Sequence, residues 1–324
     1  MNLRYGDGLR LDLPTGERIV ADANRPGGDV AFVSHAHGDH LYREPPEAVV
    51  WSELTRDLAA VRRDGYPLPD RTLHPHIELF DAGHVPGSRA ALIEAEQSVL
   101  YTGDVCTRDR LYLSGFDPPA ADVLVMESTY GHPDYEFPPV EHVRDSFREW
   151  VADHSDRPIL CFGYALGRAQ EVEYLLGETD RDRILISDAI ADLDAVIEEH
   201  LGIDLPGENY DSLDEFGAGD ALVLPSRFRG GWVDDLIERT GAVTAGLSGW
   251  AIDGGFRFAR DVDAAFVLSD HCDFTELVNL VHEVDPETVY TLHGSADDFA
   301  AYLSTEHGYD ATALKRHQSR LSEF

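Results

Sequence analysis

Residues Ser34-His35-Ala36-His37-Gly38-Asp39-His40 gather three imidazoles and a carboxylate on one glycine-containing turn. Neutral histidine and ionised aspartate both suit a borderline cation such as Zn²⁺. His35 and His37, at alternate positions, can face one ion, while Asp39 and His40 face an adjacent one. Crowding such groups into a turn brings no packing benefit, so the density itself points to metal binding. Further ligands are expected at other strand ends. His84 lies in Asp81-Ala82-Gly83-His84-Val85-Pro86-Gly87-Ser88 and Asp104 in Tyr101-Thr102-Gly103-Asp104. A glycine beside each lets backbone come close to a crowded site.

Those groups need rigid elements behind them. The first third of the chain reads as short strands with tight turns: Leu9 to Leu13, Arg18 to Ala23, Val30 to Ser34, Ile77 to Asp81, Ala90 to Glu94 and Ser98 to Thr102. After strand-like Val123 to Glu127 and a proline-rich stretch the rhythm changes. Strands at Pro158 to Phe162, Arg183 to Ser187, Ala221 to Pro225 and Ala242 to Leu247 alternate with helices at Arg168 to Leu176, Ile190 to Leu201 and Trp232 to Arg239. That alternation predicts an α/β unit with a mainly parallel sheet. A strand at Ala264 to Ser269 precedes a helix with Leu277, Val278, Val281 and Val284 on one face; strand Thr288 to Leu292 and a helix near Ala296 to Leu303 follow. No repeat, low-complexity block or long Gly/Ser linker divides the chain, so a second domain must be an insertion.

The ordered ligand series resembles the metallo-β-lactamase superfamily, whose αββα sandwich carries metals at one edge. The resemblance implies that His35, His37 and His84 hold the first metal, Asp39 and His40 the second, and that Asp104 bridges. Asp22, in Ile19-Val20-Ala21-Asp22, would orient a ligand from behind. Four later elements narrow the branch: Glu127-Ser128-Thr129-Tyr130-Gly131, Gly167-Arg168-Ala169-Gln170-Glu171, Ser269-Asp270-His271-Cys272-Asp273 and Leu292-His293-Gly294. They resemble, in order, the signature elements of the β-CASP nucleases. The implied fold is α/β, an αββα sandwich from residues 1–138 and 250–324 with an inserted α/β β-CASP cap at 139–249. The chain is most similar to compact mRNA 3′-end processing factor-like proteins and exonucleases associated with DNA ligase.

That resemblance implies a nuclease using two divalent ions, Zn²⁺ or Mn²⁺, on single-stranded RNA or DNA, with exonucleolytic action favoured. Asp39, Glu127 and His271 would form the catalytic set, His293 would complete the second metal's shell, and Arg168, Ser128 and His271 would touch substrate. Arg168 has a plainer reading as an exposed helix-surface arginine paired to Glu171. Two other functions remain open: hydrolysis of a small lactone or thioester, and a non-catalytic β-CASP subunit that only binds nucleic acid. A homodimer, or partners in DNA repair or RNA processing, would suit the family.

Composition excludes other classes. An apolar content of 43% rules out disorder. No run approaches the roughly 18 apolar residues of a membrane span, and the first sixteen residues carry charges where a signal peptide is apolar, so a cytoplasmic protein without membrane contact is expected. Cys106, Cys161 and Cys272 are too few and too dispersed for a disulfide framework. The 61 Asp+Glu against 26 Lys+Arg give a net charge of -35, unlike the basic face of most nucleic-acid binders. Lys315 is the one lysine among those cations, and lysine depletion with carboxylate excess reads as adaptation to molar salt, where a Debye length of about 3 Å screens global repulsion of phosphate. His74 and His76 are expected in solvent, and His282 and His307 show no partner spacing.

Overall fold

Leu9 and Leu11 are fully buried while Gly8, Arg10 and Asp12 between them are half-exposed, the period-two signature of a strand covered on one face. The computed structural model describes residues 2–63, 65, 67–210, 212–225, 231–314 and 318–319. It divides into two units, Met1–Glu136 with His271–Phe324, and Phe137–Asp270.

The first unit opens with β1 (Asn2–Gly6), β2 (Gly8–Asp12), β3 (Arg18–Ala21), β4 (Val30–Phe32) and β5 (Val49–Val50), then helix α1 (Glu53–Arg62), and continues with β6 (Ile77–Asp81), β7 (Arg89–Ile93), β8 (Val99–Tyr101) and β9 (Val123–Glu127). Its closing segment supplies α7 (Phe274–Val284), β16 (Thr288–Leu292), α8 (Ala296–Glu306), β17 (Asp310–Ala313) and β18 (Gln318–Ser319). Two six-stranded sheets result, ordered β18-β1-β2-β3-β4-β5 and β17-β16-β9-β8-β7-β6. Leu9, Leu11, Ile19 and Phe32 of one meet Ala91, Ile93 and Val125 of the other in the sandwich interior. Leu100, Leu124 and Met126 on the second sheet's outer face pack on Leu277 and Val281 of α7 and Phe299 and Leu303 of α8. On the opposite outside, Val33, Val49 and Trp51 pack on Ala59 of α1. The layers are therefore α, β, β, α.

The structure adds α1 where only strands were expected. Ten residues are marginal as an isolated helix. The Ser52 hydroxyl accepts the Thr55 N–H at 2.9 Å to cap it, and Leu54, Leu58 and Ala59 bury one side.

The second unit carries α2 (Val140–Asp153), β10 (Ile159–Gly163), α3 (Arg168–Leu176), β11 (Arg183–Ile186), α4 (Asp188–Leu201), β12 (Glu208–Asn209), β13 (Asp220–Pro225), α5 (Trp232–Thr240), β14 (Val243–Leu247), α6 (Phe256–Ala259) and β15 (Ala264–Phe266). Its sheet, ordered β12-β11-β13-β10-β14-β15, is parallel throughout. Strand runs such as Ile159–Gly163 are buried at every position, as helices on both faces require. Residues 250–270, assigned from sequence to the sandwich, belong here instead. The reason is pairing: Ala264–Phe266 adds to Ala245–Leu247 as the edge strand of this sheet. All three cysteines are free and buried. Among the described residues no helix is long and apolar enough to cross a membrane.

Candidate metal centre

Four strand ends in the first unit converge. Past β3, Asp22 takes a left-handed backbone (φ 49°), which its short polar side chain tolerates. Its carboxylate accepts the Ser34 N–H at 2.8 Å, the Ser34 hydroxyl at 2.6 Å and the Tyr101 hydroxyl at 2.9 Å, and stands 3.0 Å from His40 Nδ1. Asp22 thereby ties the histidine turn to β8 and orients His40 through the nitrogen that points away from the other ligands. Gly103 brings the Asp104 turn against this one: with φ 57°, a Cβ there would lie 2.7 Å from Ser34 Cβ.

His35, His37, His84 and Asp104 each offer one ligand atom, and these four atoms lie within 4.8 Å of one another. His37 Nδ1 is 3.0 Å from His35 Nε2 and 3.4 Å from His84 Nε2. Asp104 Oδ2 is 3.5 Å from His35 Nε2, 3.6 Å from His84 Nε2 and 3.5 Å from His40 Nε2. Two ligands at about 2.0–2.1 Å from a tetrahedral ion sit about 3.3 Å apart, so these spacings fit a divalent cation. A single carboxylate oxygen stands between the first imidazole group and His40, the place of a shared ligand.

Electrostatics separate the two buried histidines of the turn. Burial, together with the neighbouring imidazoles of His40, His37 and His84, holds His35 well below the ordinary histidine range, so it keeps a lone pair. His40 goes the other way: burial opposes its charge, yet the Asp104 and Asp22 carboxylates push it up to about 10. Asp39 is exposed, its Oδ2 3.9 Å from His40 Nε2. His293, on a left-handed residue (φ 61°) after β16, has its ring 6.4 Å from that of His40 and edge-on to Tyr5.

His271 stands beside this group, its ring 4.6 Å from that of His84. Its Nδ1 is 2.8 Å from Oε1 of Glu127, a buried carboxylate whose other oxygen accepts the Thr129 N–H at 2.7 Å. Burial alone would raise the Glu127 pKa, but the charge and hydrogen bond of His271 bring it below the ordinary value. Glu127 therefore fixes the ring.

Two expected substrate contacts take other roles. The Ser128 side chain is buried, and its hydroxyl donates to the Leu292 and His293 carbonyls at 2.9 and 3.0 Å, so it braces the turn that carries His293. Arg168 is buried within the second unit. It pairs with Glu171 at 2.8 Å and Asp270 at 2.9 Å and donates to the Leu268 carbonyl, tying α3 to the β15 edge rather than holding a phosphate. The plainer reading was right about its partner and wrong about its exposure. Sequence reasoning also passed over two arginines. Arg110 is buried and donates to the Gly83 and His84 carbonyls at 3.0 and 2.7 Å; Arg108 pairs with Glu276 and donates to the His271 carbonyl at 2.9 Å. Their position just beyond Asp104, two residues apart, was the available signal. Elsewhere His282 and His307 do meet, at 3.1 Å, and His74 packs against Glu17 at 3.1 Å instead of facing solvent.

Comparison with known proteins finds metallo-hydrolase and nuclease likenesses. Residues 264–314 match the Zn-dependent metallo-hydrolase RNA specificity domain. The chain is similar to a "Probable DNA ligase" of Opitutus terrae, 34% identical over 88% of this chain and 28% of that protein. It is also similar to the "Probable RNase MJ4" of Methanocaldococcus jannaschii, 29% identical over 57% of this chain and 52% of the relative. With the "Cleavage and polyadenylation specificity factor subunit 3" of Dictyostelium discoideum it shares 24% identity over 77% of this chain and 39% of the relative. The matches thus span between about a quarter and a half of these relatives' lengths. A crystal structure of a protein of unknown function from Enterococcus faecalis has the same fold, with a TM-score of 0.66 at 14% identity over 98% of both chains.

Proposed function

Since this chain belongs to the metallo-β-lactamase superfamily, in its β-CASP branch, we propose that it is a metal-dependent nuclease hydrolysing phosphodiester bonds of single-stranded RNA or DNA. The observation that carries this reading is the convergence of His35, His37, His84 and Asp104 beside a histidine clamped by a buried glutamate. His35, His37 and His84 would hold one divalent ion, Zn²⁺ or Mn²⁺, and Asp39, His40 and His293 a second, with Asp104 shared. Bound there, the ions supply Lewis-acid charge and lower the pKa of water to make a nucleophile near neutral pH.

The protein's own groups do the rest. Asp22 and Ser34 hold the histidine turn so that its nitrogens converge without rearrangement during turnover. With Nδ1 on Glu127, His271 presents Nε2 to the phosphate. As an imidazolium it donates first to a non-bridging oxygen and then, as the P–O bond breaks and the bond to the water oxygen forms, passes its proton to the leaving oxygen. Arg108 and Arg110 keep the His271 and His84 backbones in register with each other.

RNA is the favoured polymer because residues 264–314 match an RNA specificity domain. Exonucleolytic action is favoured by the likeness to compact ligase-associated exonucleases, which the match to a probable DNA ligase over 88% of the chain supports. The test is a time course on end-labelled RNA and DNA of one sequence, in molar salt, with and without chelator. A ladder of products lost on chelation is expected. Hydrolysis of a lactone or thioester with neither polymer cut would replace this reading by the small-molecule one, and strand binding with no hydrolysis would mark a binding subunit.

A further inference from the structure

The second unit holds a cavity that the chemistry above does not use. β10 and β14 are neighbours in its parallel sheet, yet the chain leaves them in opposite directions: from β10 through α3 to β11 beyond β13, and from β14 outward to β15. Where connections diverge, a parallel sheet opens a crevice at the carboxyl ends of the two strands, the usual ligand position in open α/β folds. A cavity of about 600 Å³ lies there, bordered by the residues that end both strands. That volume is within the roughly 300–1,000 Å³ of small-ligand sites.

Its walls are selective. Tyr164, just past β10, is 65% exposed, and Trp250, just past β14, is 41% exposed. Exposed aromatics are unremarkable singly, but these two border one cavity together with Phe256 and Arg260, whose guanidinium lies 5.8 Å over the Phe256 ring. Gly246 lets that ring seat over the strand, since a Cβ there would come 3.0 Å from its edge. The polar groups are mixed: carboxylates of Asp234 and Asp261, and the Arg260 guanidinium. Two carboxylates repel an isolated phosphate, but they accept the amino protons of a base edge. Aromatic faces, acceptors and one planar cation together describe a nucleobase.

From this arrangement we infer that the cavity is a base-stacking subsite for one nucleotide of a single strand, with Trp250 and Tyr164 as platforms and bases bearing amino groups preferred over uracil. The ligand class rests on the nucleic-acid reading; the cavity and its chemistry do not. Stacking of this kind contributes about 1–3 kcal/mol per base, or roughly 5- to 150-fold in affinity.

The test is a titration of the full chain with CMP, UMP and ribose 5-phosphate in chelator, followed by the same titration of Trp250→Ala and Tyr164→Ala. Both side chains are at the surface, so circular dichroism should show each variant folded. CMP should bind more tightly than UMP, ribose 5-phosphate should fail to compete, and each variant should lose about 5-fold or more for CMP. Equal competition by ribose 5-phosphate, or wild-type CMP affinity in both variants, would overturn the inference. Because metal is absent throughout, this result is independent of cleavage. A wild-type chain that cuts no strand but binds CMP through Trp250 would sink the nuclease reading and leave the subsite standing.

Discussion

Asp104 is the side chain on which the candidate centre turns, because one of its oxygens stands within 3.6 Å of imidazole nitrogens from three different histidines. His271 belongs to the same group by position but not by task. His271→Ala and Glu127→Gln should keep wild-type metal content, measured by elemental analysis, while cleavage falls by about 10²- to 10⁴-fold. Metal lost from His271→Ala would make that residue a ligand instead. A second residue-scale expectation concerns a carboxyl pair in the other unit. Burial raises Asp194 from 3.8 to about 7, and burial together with the Asp194 charge raises Glu173 well above its ordinary value. Raised acids are protonated in the fold and ionised once it opens, so their contribution is full below 3.8 and is lost as pH rises through about 7. Stability should fall across that window by on the order of 1 kcal/mol per pH unit, and Asp194→Asn should flatten the dependence in thermal melts; an unchanged slope would refute the assignment. The converging His35, His37, His84 and Asp104 were legible in the sequence as candidate ligands because their types declare their chemistry wherever they sit. Ser128 and Arg168 were misread because the same polar types serve as braces when buried, and burial is a tertiary property.

At the scale of elements, the site depends on turns more than on strands. Gly294 follows His293 with φ 50°, and a Cβ on it would lie 2.4 Å from Thr129 Cα and 2.5 Å from the Ser128 carbonyl. Gly294→Ala should therefore cost about 1–3 kcal/mol in stability and lower the metal content per chain as His293 moves; unchanged melting and metal would show that the turn is not a constraint. The strands that deliver ligands were readable because they are short apolar runs that stop at glycine or a ligand. α2 was not read, although Val143, Phe147 and Val151 recur at helical spacing, because six charged residues are interspersed with them and its cap position is Pro139, without a side-chain bond. The boundary near residue 250 was misplaced for a related reason. Nothing in Ala264–Phe266 itself tells which sheet will accept it; the pairing with β14 does.

At the scale of the whole molecule, the net charge of -35 is a self-repulsion that salt must screen. Raising KCl from about 0.1 to 1 M shortens the Debye length from about 10 to 3 Å, and the melting temperature should rise across that range; a fall would contradict adaptation to salt. Binding of a single strand should in turn lose little affinity with salt. If about four cations meet phosphates, its logarithmic slope should be no steeper than about −3. The chain's discontinuity has one further consequence, which concerns time. β9 gains its neighbour β16 only after the whole of Phe137–Asp270 has been made, and His271 and His293 belong to that late segment. The parallel sheet of the second unit needs no residue beyond 266, so during synthesis it can form while the sandwich is still missing β16, β17, β18 and both of these imidazoles. A chain released between Phe266 and His271 would therefore carry a complete sheet in its insert beside a sandwich that lacks His271 and His293.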